Sequence, residues 1–337
     1  MVFIAASEAS VFYEASYSND NSLFISLAGD NYLLTDGRYI EEAKNLAKNC
    51  YIIEARDIVK KAVEILKKNR VKKFFIDPSE WTIGQFEKLG NFARIEQKKG
   101  LLTQKRAIKT AEELVKIKKA VKAGEEAFAH FAEFVRFGKP DRSEFELSWK
   151  AKEILSDRGM RPLSFEPIVA IDANSSLPHA RASDKKLKLG SLLLFDAGVK
   201  LDGYCSDRTR TAYFDTNFNF EYKQTFGSKK PQSIYDTVLK AHDEAIKQAK
   251  VGMKACELDK IARDIIDKAG YANEFVHSLG HGVGIEIHEY PTISTKSQTI
   301  LEEGMVFTIE PGIYLPEIGG VRIEDMVIMR KDGVEVL

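Results

Sequence analysis

The chain has 337 residues, and its 50 Lys+Arg balance its 50 Asp+Glu to a formal net charge of zero at pH 7. This length suits two domains with large cores, while the balanced charge argues against nucleic acid or an anionic membrane as a partner. The three cysteines form no closely spaced pair, which excludes a disulfide scaffold and a cysteine zinc site. Without a basic signal-peptide segment or an apolar run of about 20 residues, the protein is expected to be cytoplasmic.

The first hundred residues alternate short apolar runs with amphipathic stretches, as an α/β domain does. The spacing of apolar residues predicts helices over 39–48 and 57–69, and a plausible helix start opens the stretch 77–89. The predicted strands are 22–27, 31–36, 50–55 and 72–77, with a turn at 29–31.

A polar, basic segment over 97–114 separates this part from the rest of the chain. Thr110 followed by Glu113 forms a capping box, which predicts a long helix over 111–137. We place the domain boundary in this linker, so the predicted domains are 1–107 and 108–337.

The second half mixes helical and strand patterns and becomes Gly-rich and β-like after residue 275. Because 214–233 is polar, it is predicted to be a surface loop. The predicted helices are 143–159, 232–250 and 255–269, and the predicted strands are 191–199 and 203–214.

Asp196 is the only charged residue in the apolar run LLLFDAGV (192–199), and Asp207 lies in the next predicted strand. Asp-Gly is a strong hairpin signal. A two-residue loop at Asp202–Gly203 pairs Asp196 with Thr209 and leaves Asp207 one diagonal step away. A loop at Leu201–Asp202 pairs the two Asp directly.

In both registers the two carboxylates share one face and repel each other. A salt bridge to Arg208 or Arg210 would suffice for a single buried Asp. The facing pair instead favours a bound cation.

Further candidate ligands follow downstream. The stretch 276–291 contains His277, His281 and His288, and the glycines around His281 exclude a helical zinc motif. Glu310 ends an apolar strand, and Glu324 lies two residues after Arg322. Each residue taken alone suits a structural hydrogen bond or a salt bridge.

Taken together, four carboxylates and one imidazole form a candidate ligand set. Oxygen-rich ligation with one nitrogen suits Mn²⁺, Co²⁺ or Fe²⁺ and permits Zn²⁺. Four carboxylates can balance two divalent ions, a known hydrolytic arrangement. The set is Asp196, Asp207, His281, Glu310 and Glu324.

The ordered motifs FDAG, SDRTRT, HGVGIEIHE, TIEPG and RIED resemble those of the pita-bread metallopeptidases. That group includes methionine aminopeptidase, Xaa-Pro aminopeptidase, prolidase and creatinase. LLTDGRYIEEA (33–43) is similar to the signature of the creatinase-type N-terminal domain, which accompanies creatinase and the proline-directed members. The resemblance implies an α+β protein, in which a creatinase-like (ribonuclease H-like) α/β domain precedes a pita-bread metallopeptidase domain.

The resemblance also implies roles for the candidate ligands. Asp196 matches a ligand of one metal, Asp207 and Glu324 match the bridging carboxylates, and His281 matches the sole imidazole ligand. Glu310 matches the remaining ligand, which is credited with proton transfer.

Four further residues match positions around the substrate in this family. His288 matches a histidine that binds the substrate near the scissile carbonyl, and His179 matches another site histidine that is not a ligand. His277 and Arg322 match second-shell or substrate-side positions.

The resemblance implies hydrolysis of the Xaa-Pro bond at the N-terminus of peptides or in Xaa-Pro dipeptides. It also implies a homodimer in which each subunit binds two divalent ions, foremost Mn²⁺. Some dipeptide-specific prolidases use an Arg before GMVFTIEPG to bind the dipeptide carboxylate, where this chain offers only Lys296. The choice between dipeptidase and aminopeptidase therefore stays open.

Two alternatives remain. One is a methionine-type aminopeptidase on the same fold, against which the N-terminal domain argues. The other is a non-catalytic creatinase-fold module that binds peptides, against which the complete ligand set argues.

Overall fold

A computed structural model describes residues 1–139 and 141–337 and divides the chain into two units, Met1–Arg106 and Ala107–Leu337. The strands of the first unit are β1 (Phe3–Ala5), β2 (Leu23–Leu27), β3 (Asp30–Thr35), β4 (Tyr51–Glu54), β5 (Lys73–Ile76) and β6 (Arg94–Gln97). Its helices are α1 (Glu8–Ala15), α2 (Ile40–Leu46), α3 (Ile58–Lys68) and α4 (Ile83–Leu89), and α5 (Thr103–Ala107) runs across the boundary.

The first unit is built on one six-stranded sheet in the order β4-β3-β2-β1-β5-β6. The pairs β1–β2 and β2–β3 are antiparallel, and the other pairs are parallel. Successive side chains of a strand point to opposite faces, so Leu23 and Ile25 pack in one apolar cluster and Phe24 in another. The sheet is therefore covered on both faces.

All four predicted strands of this unit are confirmed, but 77–89 is not one continuous helix. A 3-10 turn over Pro78–Glu80 comes first, and α4 begins only after Thr82, whose side chain and Gln85 form a capping box. The cap at Thr82 needs extended backbone, which interrupts the helix. The sequence patterns did not predict β1, α1 or β6.

The described residues of the second unit form four α-helices and twelve strands. The helices are α6 (Ala111–Phe137), α7 (Glu144–Leu155), α8 (Lys229–Gln248) and α9 (Ala255–Lys268). The strands are β7 (Ile168–Ile171), β8 (Leu192–Ala197), β9 (Lys200–Leu201), β10 (Tyr204–Cys205), β11 (Arg208–Tyr213), β12 (Gly280–Gly282), β13 (Glu289–Ile293), β14 (Val306–Ile309), β15 (Gly312–Leu315), β16 (Gly319–Arg322), β17 (Asp325–Arg330) and β18 (Gly333–Val336).

Two helix pairs each cover a sheet of the second unit. The pair α6 and α7 packs with the sheet β11-β8-β7, where the rings of Phe128 and Phe131 each lie 4.4 Å from Phe195. The pair α8 and α9 packs with the sheet β13-β12-β14-β17-β18. The two sheets meet where Thr209 pairs with Glu324. No helix in the described ranges is both long enough and apolar enough to span a membrane.

The predicted helix over 111–137 is confirmed, and Thr110 and Glu113 form the capping box. Two other predictions need correction. The predicted strand 203–214 is interrupted between β10 and β11, at the point where Asp207 lies. The predicted surface loop 214–233 instead contains three buried phenylalanines, Phe218, Phe220 and Phe226. Burial of their apolar area outweighs the polar composition of the residues around them.

Candidate metal centre

The turn between β9 and β10 sets the relative position of the two aspartates. Asp202 and Gly203 have positive φ angles of 51° and 84°, which a two-residue type I′ turn requires. The resulting register pairs Thr209 with Asp196, so the first of the two predicted registers is correct. Leu193, Phe195 and Ala197 pack in the cluster under α6 and α7, so strand alternation places Asp196 on the opposite face, toward the site.

Gly198 lets the strand that follows Asp196 approach the segment that carries Asp207. A Cβ atom at Gly198 would overlap the backbone carbonyl of Ser206. Only glycine permits this approach.

The cation that meets Asp196 is Arg322, whose Nη2 lies 2.6 Å from Asp196 Oδ2. The alternative partners for a single buried Asp, Arg208 and Arg210, do not contact Asp196. They alternate with Thr209 along β11, so they point to the other face of the strand. Arg210 pairs there with Asp325 at 2.6 Å.

Asp207, His281 and Glu324 bring their ligand atoms together, with all three atoms within 4.8 Å of one another. Glu310 joins this group through His281, whose Nε2 lies 3.4 Å from Glu310 Oε1 and 3.6 Å from Asp207 Oδ2. Asp196 adjoins it across Thr209. Segments far apart in sequence thus converge on one site.

Burial and, after it, mutual repulsion raise the pKa values of three of the carboxylates. Burial raises the pKa of Asp207 well above its usual range, and the charges of Glu324, Asp196 and Glu310 raise it further. Burial likewise raises the pKa of Glu324, and Glu310 and Asp196 add to the effect. Burial raises the pKa of Glu310 to about 8, although the charge of Arg322 acts in the opposite direction. A cation among these groups would relieve the repulsion.

His281 is held in the state that a metal-ligating imidazole requires. Burial lowers its pKa to about 4, with a contribution from His288. Its Nδ1 lies 3.1 Å from the carbonyl oxygen of Gly282, which can only accept, so Nδ1 carries the proton. The lone pair on Nε2 therefore points toward Asp207 and Glu310.

Tyr314 links Arg322 to His277. Its hydroxyl accepts from Arg322 Nη1 at 2.7 Å and lies 2.8 Å from His277 Nε2. His277 Nδ1 lies 2.8 Å from the carbonyl oxygen of Ser278 and so carries the proton. Burial, followed by the charge of Arg322, lowers the pKa of His277 to about 3. Both ring nitrogens of His277 are thus engaged within the protein.

The hydroxyl of Thr209 connects the acidic and basic parts of the site. It donates to Glu324 Oε2 at 2.5 Å and accepts from Arg322 Nε at 3.0 Å. Neither Thr209 nor Tyr314 was among the predicted site residues. The signal for Thr209 was the Asp202–Gly203 turn, which pairs it with Asp196.

His288 and His179 are exposed and lie outside the group of three ligand atoms. The ring of His288 lies 4.3 Å from that of His281. Desolvation by the surrounding protein, followed by the charge on His179, lowers the pKa of His288. Both rings are thus available to a molecule that approaches the carboxylates from solvent.

The donors fit a divalent cation. Asp196 Oδ1 is buried and has no hydrogen-bond partner within residues 1–139 and 141–337, a state that costs about 1–3 kcal/mol. Four carboxylates with one neutral imidazole suit Mn²⁺, Co²⁺ or Fe²⁺ and permit Zn²⁺. The five predicted ligands could therefore hold two such ions.

Comparison with known proteins agrees with this chemistry. The profile of metallopeptidase family M24 matches residues 115–331. The chain is 40% identical over 255 residues to an Xaa-Pro dipeptidase of Pyrococcus furiosus. The aligned region covers 76% of this chain and 70% of that protein.

Two solved structures are similar over 99% of this chain. One is an Xaa-Pro dipeptidase from Bacillus anthracis, with a TM-score of 0.89, 33% identity and 92% of that chain covered. The other is an X-Pro aminopeptidase from Thermotoga maritima MSB8, with a TM-score of 0.88, 29% identity and 94% covered. This similarity confirms the predicted fold class, an N-terminal domain followed by a pita-bread catalytic domain.

Proposed function

The chain belongs to metallopeptidase family M24, and from this premise we propose that it hydrolyses the peptide bond that precedes proline. The substrates are peptides with proline at the second position, including Xaa-Pro dipeptides. The observation that carries the proposal is the convergence of Asp207, His281 and Glu324, whose ligand atoms lie within 4.8 Å of one another. The similar Xaa-Pro dipeptidases of Pyrococcus furiosus and Bacillus anthracis support the choice of proline.

Asp196, Asp207, His281, Glu310 and Glu324 are proposed to hold two divalent ions, foremost Mn²⁺ and otherwise Co²⁺, Zn²⁺ or Fe²⁺. When bound, such ions lower the pKa of a water molecule and polarise the substrate carbonyl. The family resemblance assigns the bridging positions to Asp207 and Glu324, whose ligand atoms lie within 4.8 Å of each other. The neutral state of His281 leaves Nε2 free to ligate without first losing a proton.

The remaining groups act on the substrate. His288 donates a hydrogen bond to the oxygen of the carbonyl before proline and stabilises the charge that develops there. A water molecule adds to the carbonyl carbon before proline, and Glu310 accepts the proton that this water loses. Glu310 then transfers the proton to the prolyl nitrogen as the C–N bond breaks. Arg322 keeps Asp196 in place through its 2.6 Å ion pair, and His179 contacts the substrate from its exposed loop.

The proposal covers both dipeptides and longer peptides. On β13, Thr292 pairs directly with His281. The residue at this position therefore carries no positive charge that would bind the carboxylate of a dipeptide. An Xaa-Pro dipeptidase and an X-Pro aminopeptidase both match the fold. Rates on Ala-Pro and Ala-Pro-Ala measure the preferred length.

The deciding experiment assays metal-free protein before and after Mn²⁺ or Co²⁺ is added. We expect no cleavage of Ala-Pro substrates without metal and recovery with it. Full activity in protein shown to be metal-free by elemental analysis contradicts the proposal. Faster cleavage of Met-Ala than of Ala-Pro peptides would favour the methionine-type alternative.

We further propose that the protein is a homodimer in a reducing compartment, the cytoplasm. The first part rests on the resemblance of the sequence to the Xaa-Pro peptidases. The free thiols of Cys50, Cys205 and Cys256 support the second part. Light scattering measures the mass in solution, and a monomer would contradict the dimer.

A further inference from the structure

Glu144, the first residue of α7, has a carboxylate that lies inside the protein at 0% exposure. Four hydrogen bonds satisfy it, and none comes from a cation in the part of the chain that the structure describes. The donors are Ile171 N at 2.6 Å, Asn174 Nδ2 at 2.7 Å, Ser183 N at 2.8 Å and Ser183 Oγ at 2.6 Å.

These donors all belong to one segment, 171–183, which also carries the exposed His179. Asn174 also donates to the carbonyl of Arg181 at 3.0 Å, so the two ends of the segment are joined to each other as well as to Glu144. A buried carboxylate is costly unless its oxygens are satisfied. Movement of the segment away from Glu144 would leave the buried carboxylate without these hydrogen bonds and is therefore unfavourable.

Two further contacts join the middle of the segment to β16, the strand that ends at Arg322. Gly320 N donates to Ser175 Oγ at 2.8 Å. Arg322 Nη1 donates to the carbonyl of Pro178, the residue before His179, at 3.3 Å. His179 thus lies between a contact to Arg322 on one side and the contacts to Glu144 on the other.

We propose that Glu144 is a positioning residue that fixes His179 for contact with the substrate. The inference rests on the proposed function, because it requires that His179 acts on the substrate. Glu144 itself touches neither substrate nor metal. Its effect passes through the backbone of segment 171–183.

The test is a double-mutant cycle of Glu144→Gln and His179→Ala in the full chain, with Mn²⁺ bound and Ala-Pro-Ala as substrate. Glutamine keeps the shape of Glu144 but places a donor where Ile171 N or the Ser183 donors need an acceptor. The matched control is Glu153→Gln on the same helix, whose carboxylate is 43% exposed and pairs with Lys150.

We expect Glu144→Gln to lower kcat/KM about 10- to 100-fold while the bound metal stays unchanged. In the His179→Ala background the same change should cost less than about twofold, because the residue it positions is gone. Glu153→Gln should leave kcat/KM unchanged. A merely structural role would give the same loss in both backgrounds.

Equal losses in the two backgrounds, or loss of metal from Glu144→Gln, would overturn the inference and leave the proposed function intact. Full activity in His179→Ala would instead show that His179 does not act on the substrate, which would also overturn the inference. If Glu144→Gln does not fold, Asn174→Ala removes one of the four hydrogen bonds and enters the same cycle. An additive result, or no effect, with that variant also overturns the inference.

Discussion

Arg322 and Asp196 form a buried ion pair, with Arg322 Nη2 2.6 Å from Asp196 Oδ2 and the two side chains 4% and 11% exposed. The pair joins two strands that are 126 residues apart in the chain. Only one oxygen of Asp196 is satisfied in this way, since Oδ1 has no donor among the described residues. Arg322 therefore neutralises part of the acidic cluster and leaves a free oxygen for a metal ion.

Replacing Arg322 by methionine should destabilise the metal-free protein by about 3–5 kcal/mol, because Asp196 keeps a buried charge without its partner. Bound metal should reduce this loss, since the ion supplies the missing positive charge. Thermal unfolding with and without Mn²⁺ measures both values. Arg330→Met is the control, because its pair with Glu335 is 38% and 37% exposed and should be worth less than about 1 kcal/mol. Equal losses in the two variants would contradict the prediction.

The stability of the metal-free protein should fall as pH rises from about 4 to about 8. Glu310 has an unfolded pKa of about 4.3 and a folded pKa raised by burial to about 8. Between these values the folded state binds a proton that the unfolded state lacks, so stability decreases with pH. The raised pKa values of Asp207 and Glu324 act in the same direction.

Calorimetry of metal-free protein across this pH range measures the slope. Glu310→Gln should reduce it, because the variant lacks one of the titrating groups. Saturating Mn²⁺ should reverse the trend, since metal binding requires deprotonated carboxylates. A metal-free protein that becomes more stable from pH 5 to pH 8 would contradict the raised pKa values of these carboxylates.

Asp207→Asn should abolish metal-dependent turnover while the protein still folds. An amide cannot bridge two cations with compensating charge, so we expect kcat to fall about 100-fold or more. Folding should survive because the shape is kept and a costly buried charge is removed. Calorimetric Mn²⁺ titration and kinetics check the two parts. Asp202→Asn is the control, since asparagine suits its turn position at φ 51°. More than a tenth of normal activity in Asp207→Asn would show that Asp207 is no bridging ligand.

His288→Ala should keep both ions and lose most of kcat. The residue is assigned to the substrate carbonyl, and loss of such a donor typically costs about 2.7–4 kcal/mol in the transition state. Elemental analysis and steady-state kinetics separate metal binding from turnover. The exposed His130 on α6 provides the matched change, His130→Ala, which should have no effect. Loss of a metal ion from His288→Ala would instead make His288 a ligand.

The carboxylates of the site could be predicted from sequence because they interrupt apolar strands. Asp196 inside LLLFDAGV is energetically anomalous without a partner, and the Asp202–Gly203 turn limited its pairing to two registers. The identity of its cation could not be predicted. Arg208 and Arg210 are near in sequence but lie on the wrong face of β11, whereas Arg322 comes from a distant strand.

Residues that act only through hydrogen bonds gave no such signal. Tyr314 and Glu144 are of types that are common in ordinary strands and helix starts. His277, a partner of Tyr314, and the donors to Glu144 lie 27 to 39 residues away in the chain. The burial of the phenylalanines in 214–233 could not be predicted either, because the residues around them are polar. Composition averages over a segment, while packing acts on single side chains.

Gly198 has no functional group, yet a mutational scan should find it as intolerant as the acidic residues on either side. Any side chain there would collide with the carbonyl of Ser206 and push apart the two segments that carry Asp196 and Asp207. The distance between these carboxylates therefore depends on a residue that supplies no ligand, and a side chain at position 198 should change which ionic radius the site accepts.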